Sequence, residues 1–295
     1  MATQPSPLGV TRIGPRTFRW GERTFVMGIL NVTPDSFSGD GLLAEAGPTG
    51  GPVGATSPVE RAVEQARRMA AEGADLLDIG GESTRPGHAP VDEREELERT
   101  IPVVRAVREV LPDVPVTIDT TKPAVAEAAL EAGADAINDV WGVSPDDTLV
   151  RIAAARGVPI VLMHNRAEPA YDDLVPEVIA DLRRAIEQAR RAGVPETDVI
   201  LDPGIGFGKT AEHNLELLRR LGELRTLGRP ILLGTSRKST IGKVLDLPPD
   251  ERLEGTLATT ALGIAQGVDI VRVHDVRPNV RTARMADAIV RGRAP

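Results

Sequence analysis

The stretch Ala71-Glu-Gly-Ala-Asp-Leu-Leu-Asp-Ile79 joins the end of a predicted helix to a buried strand through a glycine. Glycine just past a helix adopts the left-handed conformation at little cost, so the strand can begin at once. Similar junctions recur at residues 131–135, 155–159 and 265–269. Helix–glycine–strand junctions of this kind indicate repeated β/α units, whose right-handed crossovers favour a parallel sheet.

Eight apolar segments have the character of strands that are buried on both faces. They cover residues 25–31, 76–79, 116–119, 136–139, 160–164, 199–202, 231–234 and 270–274. Eight predicted helices alternate with them, at residues 59–72, 92–110, 123–132, 146–156, 173–192, 211–227, 251–266 and 278–291. An open doubly wound sheet is the alternative fold, but polar residues follow nearly every strand. We therefore predict an α/β fold, the (β/α)8 TIM barrel, with one site at the carboxyl ends of its strands.

The N-terminal part of the chain lies outside this alternation. Residues 1–16 contain three prolines and no hydrophobic periodicity, so we expect a flexible tail. Residues 17–26, with Trp20-Gly-Glu-Arg23 in the middle, predict an N-terminal β-hairpin that closes the lower end of the barrel. We predict a single catalytic domain at 17–295, in which the glycine- and proline-rich stretch 39–58 is a flexible loop insertion. That loop is either an inert insertion or a lid over the substrate.

The composition excludes several classes of protein. The 295 residues include no cysteine, which excludes disulfides, a thiolate nucleophile and thiolate metal ligands. A formal net charge of −8 disfavours nucleic-acid binding, which usually needs a basic face. No apolar run approaches the roughly 20 residues of a membrane span, and the N-terminus lacks a secretory pattern. We expect a cytoplasmic protein. The acidic net charge leaves room for a small anionic ligand, because exposed charges are screened beyond roughly 8 Å.

Three strand-end residues form a candidate site for a ligand rich in N–H donors. Asp119, Asn138 and Asp202 lie at the ends of the third, fourth and sixth predicted strands. Their carboxylate and amide oxygens suit the edge of a ring such as an aminopyrimidinone. Lys238, after the seventh strand, would meet a carbonyl or ring nitrogen of the same ligand. As an alternative, Asp119 caps the helix that begins near Lys122.

The loop Asp202-Pro-Gly-Ile-Gly-Phe-Gly-Lys-Thr210 resembles nucleotide-binding loops only in composition. A Walker A loop would need glycine in place of Pro203, and a dinucleotide fingerprint would need glycine in place of Lys209. The remaining interpretation is a carboxylate followed by a turn that lets a planar ligand approach the backbone. A purely structural turn is the alternative for the glycines.

A second group of strand-end residues is cationic. Arg85 follows the second strand, and Arg272 and His274 end the eighth, where positions i and i+2 point to the same side. Guanidinium groups favour phosphate-like oxyanions, and Asn31 would suit Mg²⁺ that borrows substrate phosphate oxygens. Surface salt bridges for the arginines and a structural role for His274 are the alternatives. The two groups together fit a displacement in which a phosphate group leaves.

Seven motifs occur together from about residue 17 to the C-terminus. They are Met27-Gly-Ile-Leu-Asn-Val-Thr-Pro-Asp-Ser-Phe-Ser38, Asp78-Ile-Gly-Gly-Glu-Ser-Thr-Arg-Pro-Gly87, Ile118-Asp-Thr120, Ile137-Asn-Asp139, Asp202-Pro-Gly-Ile-Gly-Phe-Gly-Lys209, Gly234-Thr-Ser-Arg-Lys238 and Arg272-Val-His274. The set resembles the dihydropteroate synthase family. The resemblance implies a TIM barrel that condenses 6-hydroxymethyl-7,8-dihydropterin diphosphate with 4-aminobenzoate and releases pyrophosphate in folate biosynthesis. It also implies Mg²⁺ as cofactor and a homodimer.

The resemblance implies a role for each site residue. The pterin would be held by Asp119, Asn138, Asp202 and Lys238. Pyrophosphate and its Mg²⁺ would be bound by Asn31, Arg85, Arg272 and His274. The aminobenzoate site would be shaped by Thr84, Pro86, Phe207, Ser236 and Lys238. Catalysis would rest on Asp119, Lys238, Arg272 and His274, with Asp119 stabilising a pterin cation after pyrophosphate has left. His164 and Asn165, at the end of the fifth strand, receive no role.

Two other functions are weighed against the synthase. A pterin-dependent methyltransferase domain shares the acidic pocket but has no use for the pyrophosphate-binding cations. A non-catalytic pterin-binding paralogue should have lost parts of Ser83-Thr84-Arg85 or of residues 31–38, and both segments are present.

Overall fold

The computed structural model describes residues 8–32, 57–82 and 91–292. A hairpin of β1 (Val10–Ile13) and β2 (Arg16–Arg19) precedes eight parallel strands. These are β3 (Phe25–Asn31), β4 (Leu76–Gly80), β5 (Val116–Asp119), β6 (Ala136–Asp139), β7 (Ile160–Met163), β8 (Val199–Asp202), β9 (Leu232–Leu233) and β10 (Ile270–Val273). They pair in the order β8-β7-β6-β5-β4-β3-β10-β9, and a bridge between Leu201 and Ile231 joins the two ends. The predicted (β/α)8 barrel with an N-terminal hairpin is confirmed.

Helices connect successive strands and cover the outside of the barrel. They are α1 (Pro58–Glu72), α2 (Glu93–Val110), α3 (Pro123–Ala132), α4 (Thr148–Arg156), α5 (Leu174–Ala192), α6 (Ala211–Arg219), α7 (Ser239–Leu245), α8 (Leu253–Ala265) and α9 (Val276–Arg291). The glycines of the four junctions adopt positive φ, as the repeat predicts: Gly73, Gly133, Gly157 and Gly267. Within the described ranges, no helix has the length and apolar character needed to cross a bilayer.

Several helix ends lie one or two residues from their predicted positions, and two differences are larger. The stretch 211–227, predicted as one helix, forms α6 followed by a 3₁₀ helix at Leu221–Leu227. The seven-residue helix α7 is absent from the prediction. A helix of two turns is too short to show hydrophobic periodicity, so pattern alone does not reveal it.

The hairpin begins earlier in the chain than the sequence indicates. Its turn lies at Gly14 and Pro15 rather than at Trp20-Gly-Glu-Arg23. The assignment of all of residues 1–16 to a flexible tail is therefore wrong for Val10–Ile13, which is a strand. Proline is frequent in disordered tails, but it is also a common turn residue because its φ is already restricted. Residues 1–7 lie outside the described part of the chain.

An apolar cluster fills the lower end of the barrel. The rings of Phe18, Trp20 and Phe25 have centroids 4.8–5.6 Å apart. They pack with Ile13 of the hairpin and with residues at or near the start of the barrel strands. A second and larger cluster lies between the strands and the surrounding helices. Because the lower end is closed, the polar residues at the carboxyl ends of the strands have a single open mouth.

Candidate active site

Nine of the twelve predicted site residues lie in the described part of the chain, at or just after the carboxyl ends of the strands. They are Asn31, Asp119, Asn138, Asp202, Phe207, Ser236, Lys238, Arg272 and His274. Six of these line one cavity of about 310 Å³, namely Asn31, Phe207, Ser236, Lys238, Arg272 and His274. The other three, Thr84, Arg85 and Pro86, lie outside the described residues, as do residues 39–56 of the predicted insertion. The roles assigned to all twelve stay predictions.

Arg272 lies between two buried carboxylates at the centre of the site. Its Nε donates to Asp78 Oδ2 over 2.6 Å, and its Nη2 donates to Asp119 Oδ2 over 2.6 Å. The side chain of Asp78 has no exposed surface and that of Asp119 only 5%. The guanidinium therefore joins the predicted cationic group to the predicted acceptor group. Sequence reasoning alone places the two groups in separate halves of the site.

Asp78 is a site residue that sequence reasoning missed. Besides the bond from Arg272, it accepts one from Asn138 Nδ2 over 2.9 Å and one from Thr117 Oγ1. The signal was present, because Asp78 is a charged residue in the middle of the apolar strand 76–79, and buried charges are normally paired. The partner was not visible in the sequence, since Arg272 lies 194 positions away.

Asp119 has one carboxylate oxygen that is buried without a partner among the described residues, namely Oδ1. Burial raises the pKa of Asp119 to about 7, with Arg272 acting to lower it and Asp78 to raise it. A buried acceptor of this kind costs free energy until a donor reaches it. The geometry therefore favours a ligand that presents an N–H group to Asp119.

Asp202 and Lys238 flank the glycine-rich loop. Asp202 Oδ1 accepts from the backbone N–H of Gly204 over 2.7 Å, and burial raises the pKa of this carboxyl. Lys238 Nζ donates to the carbonyl of Ile205 and lies 4.5 Å from the centroid of the Phe207 ring. Burial lowers the pKa of Lys238 to about 8, and the negative charge of Asp202 opposes that shift. Lys238 is thus an ammonium donor held at the face of an aromatic ring.

Ser236 and His274 are joined by two hydrogen bonds. The backbone N–H of His274 donates to Ser236 Oγ over 3.1 Å, and the hydroxyl lies 3.0 Å from His274 Nδ1. Behind them, Arg237 adopts a left-handed φ of 56° and forms an ion pair of 2.7 Å with Asp275. Strained residues of this type persist where the surrounding structure holds them. The connection holds the residues after β9 and β10 against each other at the cavity.

The end of the fifth strand of the barrel points into a different environment. His164 is fully buried, with Nε2 3.1 Å from Asp181 Oδ2 and Nδ1 2.9 Å from Lys209 Nζ. Asn165 Nδ2 donates to the carbonyl of Val140 over 3.3 Å. Neither residue lines the cavity described above.

Comparison with known proteins agrees with this arrangement. The family model described as "Pterin binding enzyme" matches residues 27–274. The dihydropteroate synthase of Clostridium beijerinckii is 50% identical over 281 residues, which cover 95% of this chain and 99% of the relative. That of Bacillus subtilis is 50% identical over 276 residues, covering 94% and 92%.

Solved structures of dihydropteroate synthases also superpose on this chain over nearly its whole length. The dihydropteroate synthase of Clostridium difficile, determined in the presence of pteroic acid, superposes with a TM-score of 0.85 at 50% identity, covering 93% of this chain and 99% of that one. The enzyme of Xanthomonas albilineans in complex with 7,8-dihydropteroate superposes with a TM-score of 0.82 at 38% identity, covering 95% and 98%. The chain belongs to the dihydropteroate synthase family of pterin-binding enzymes, as its strand-end motifs indicated.

Proposed function

We propose that this chain is a transferase that condenses 6-hydroxymethyl-7,8-dihydropterin diphosphate with 4-aminobenzoate, giving 7,8-dihydropteroate and pyrophosphate in folate biosynthesis. The observation that carries the proposal is the central cluster, in which buried acceptors and cations meet beside one cavity at the strand ends. Relatives in this family have been solved with 4-aminobenzoic acid and with 7,8-dihydropteroate.

The acceptor group suits the N–H edge of a pterin. The free oxygen of Asp119 is buried and lacks a donor within the described ranges. Because Asn138 Nδ2 donates to Asp78, the amide is oriented with its oxygen available to a ligand. Asp202 adds a third buried acceptor, at the end of β8. Acceptors held in place before the ligand arrives lose little entropy on binding.

The cationic group suits a diphosphate that leaves. Arg272 and His274 line the cavity, and Asn31 faces the same space at the end of β3. Arg85 joins them by prediction only. A single neutral amide fits Mg²⁺, which completes its coordination with water and substrate phosphate oxygens. When bound, Mg²⁺ would neutralise charge on the phosphates. We therefore propose Mg²⁺ as the cofactor and Asn31 as its protein ligand.

The reaction we propose needs no covalent intermediate on the enzyme. The bond between the pterin methylene carbon and the diphosphate oxygen breaks, and pyrophosphate leaves with the electron pair. The amine nitrogen of 4-aminobenzoate then bonds to that carbon and loses a proton to solvent. Asp119 would stabilise the developing pterin cation, Arg272 and His274 would stabilise the departing charge, and Lys238 would hold the pterin. Phe207 and Ser236 would orient the aromatic amine.

The decisive experiment measures pyrophosphate release with both substrates and Mg²⁺, and then with each component omitted. We expect release over many turnovers only in the complete mixture. Release that continues beyond one equivalent of enzyme without 4-aminobenzoate would refute the synthase. Pterin binding without release would instead favour a non-catalytic paralogue, and methyl transfer would favour the methyltransferase alternative.

We also propose that the chain forms a homodimer through α8 and α9, which pack against each other. Leu262, Met285 and Ile289 on these helices are 63–70% exposed, and clustered exposed apolar side chains mark association surfaces. Light scattering should give twice the chain mass for the wild type and a monomer for Ile289→Asp. Val10→Asp, at an exposed position of the hairpin, is the control. A wild-type monomer would refute the dimer.

A cytoplasmic location stays a prediction, which cell fractionation would test.

A further inference from the structure

We propose that Lys209, His164 and Asp181 form a hydrogen-bonded chain that holds the glycine-rich loop at residues 203–208, and through it Phe207 and Lys238, in the geometry that the second substrate requires. These three are positioning residues, because they act on the substrate through the loop. The assignment of 4-aminobenzoate as that substrate rests on the proposed function. The chain of contacts itself does not.

The ammonium group of Lys209 has three acceptors, one for each of its hydrogens. It lies 3.1 Å from the carbonyl of Gly204, 3.0 Å from the carbonyl of Phe207 and 2.9 Å from His164 Nδ1. Two of these acceptors belong to the loop and the third to the end of β7. Lys209 therefore ties the two ends of the turn to a neighbouring strand of the barrel.

His164 connects Lys209 to helix α5 through hydrogen bonds at its two ring nitrogens. Because Nδ1 accepts from Lys209, the ring proton lies on Nε2, which donates to Asp181 Oδ2 over 3.1 Å. Asp181 is held in turn by Arg166, whose Nη2 lies 2.9 Å from the same oxygen, and by Arg184. The series of hydrogen bonds from Lys209 thus ends in an ion-pair network on α5, a helix of 19 residues.

The loop has little freedom to take another path. Gly204 has a φ of +70°, and a Cβ atom there would collide with the carbonyl of His164. Gly208 has a φ of +52°, and a Cβ atom there would collide with the backbone of Arg166. Tyr171 adds a hydrogen bond of 2.8 Å from its hydroxyl to the carbonyl of Gly208. The backbone is therefore seated directly on the end of β7, with Lys209 closing it.

The opposite side of the same loop contacts the candidate active site. The carbonyl of Ile205 accepts from Lys238, and the Phe207 ring faces the Lys238 ammonium at 4.5 Å. Asp202 is bonded to the N–H of Gly204. A shift of the loop would therefore move the aromatic wall of the cavity and its ammonium donor together.

Several charged groups face Lys209 from the elements around it. They are Asp202 on β8, Asp181 on α5, Arg166 after β7 and Lys238 after β9. Burial lowers the pKa of Lys209 to about 7, and Asp202 opposes this shift. Burial and the nearby Lys209 charge lower the pKa of His164 to about 3, so the imidazole is neutral and suited to accept from the lysine.

The kinetic test compares Lys209→Met with Lys243→Met, since Lys243 is an exposed lysine on α7. Loss of hydrogen bonds from a charged donor costs enough to change a binding constant by about tenfold or more. For Lys209→Met we expect the KM for 4-aminobenzoate to rise by about that factor. The KM for the pterin diphosphate should rise by a smaller factor, because Asp119 and Asn138 are hydrogen-bonded to Arg272 and Asp78 rather than to the loop. Lys243→Met should match the wild type.

Substitution of His164 separates positioning from simple packing. Gln keeps one donor for Asp181 and one acceptor for Lys209, whereas Leu keeps neither. We expect His164→Gln to retain the wild-type KM for 4-aminobenzoate within about threefold, and His164→Leu to resemble Lys209→Met. The KM for 4-aminobenzoate of the double variant His164→Leu/Lys209→Met should be no higher than that of the single variant with the larger KM. Each substitution breaks the same series of hydrogen bonds, so the two effects should not add. Additive losses, or equal effects of Gln and Leu, would overturn the proposal.

A spectroscopic test needs neither substrate nor turnover. In ¹⁵N-histidine spectra, His164, assigned by its absence in His164→Gln, should carry its proton on Nε2 and remain a neutral imidazole from about pH 5 to 8. In Lys209→Met its pKa should rise, because the neighbouring positive charge is lost. Protonation on Nδ1, or an ordinary titration in the wild type, would overturn the proposal. A wild-type protein that releases no pyrophosphate would instead refute the proposed function and leave this result standing.

Discussion

Asp78→Asn removes one negative charge from the fully buried centre of the site and changes almost nothing in shape. The carboxylate accepts hydrogen bonds from Thr117, Asn138 and Arg272, and it forms one of the two ion pairs of that arginine. An asparagine keeps one acceptor oxygen but places an NH₂ group against donors. Arg272 is then left with Asp119 as its remaining buried carboxylate partner in the described ranges.

The magnitude follows from the burial of the pair. Breaking a buried ion pair by removing one partner costs about 3–5 kcal/mol. Because asparagine retains part of the bonding, we expect a loss of about 3 kcal/mol in the free energy of unfolding. At roughly 2–4 °C per kcal/mol in large domains, the Tm should fall by about 6–12 °C. We also expect kcat/KM for pyrophosphate release to fall, because Asn138 and Arg272 both lose a hydrogen bond to the Asp78 carboxylate.

The same substitution has a predictable effect on pH dependence. The negative charge of Asp78 helps to raise the pKa of Asp119, which lies at about 7 chiefly because of burial. Removing that charge should lower the pKa of Asp119, so the acid limb of the rate profile should move to lower pH. A shift to higher pH would show that Asp119 has lost its own contact with Arg272, and that this loss outweighs the removal of repulsion from Asp78.

Differential scanning calorimetry and pyrophosphate release across pH would check these expectations. Asp113→Asn is the matched control, because Asp113 is exposed in the loop between α2 and β5 and carries the same charge. It should leave the Tm and the rate unchanged. An Asp78→Asn protein with the wild-type Tm and the wild-type kcat/KM would refute the view that Asp78 anchors the site.

Three further predictions concern other parts of the cluster and the loop. Arg272→Met should abolish pyrophosphate release and lower the free energy of unfolding by about 3–5 kcal/mol in denaturant titrations, since it leaves two buried carboxylates unpaired. Because burial raises the pKa of Asp119 from 3.8 to about 7, wild-type stability should fall relative to Asp119→Asn as the pH rises through that interval, and an unchanged difference would contradict the assignment. Gly204→Ala should lower the Tm more than Gly193→Ala, because both glycines have positive φ but only the first would place a Cβ atom against His164.

The sequence alone was sufficient for the architecture and for the position of the site. Buried parallel strands show as apolar runs, and at four junctions a glycine after the helix marks where the next strand begins; both signals lie within a few residues of one another. Polar residues directly after those runs, such as Asp119 and Asp202, could therefore be assigned to one mouth of the barrel from local pattern. The hairpin boundary was missed because a proline in a turn and a proline in a tail look the same locally.

Only the tertiary structure decided which side chains meet. Asp78 and Arg272 are 194 positions apart on β4 and β10, and the contact exists because closure of the barrel brings those strands to either side of β3. His164 and Lys209 likewise have no shared local pattern, yet they close a loop between two adjacent strands. Local periodicity records which face of an element is buried, whereas the partner of a buried charge depends on closure of the whole sheet.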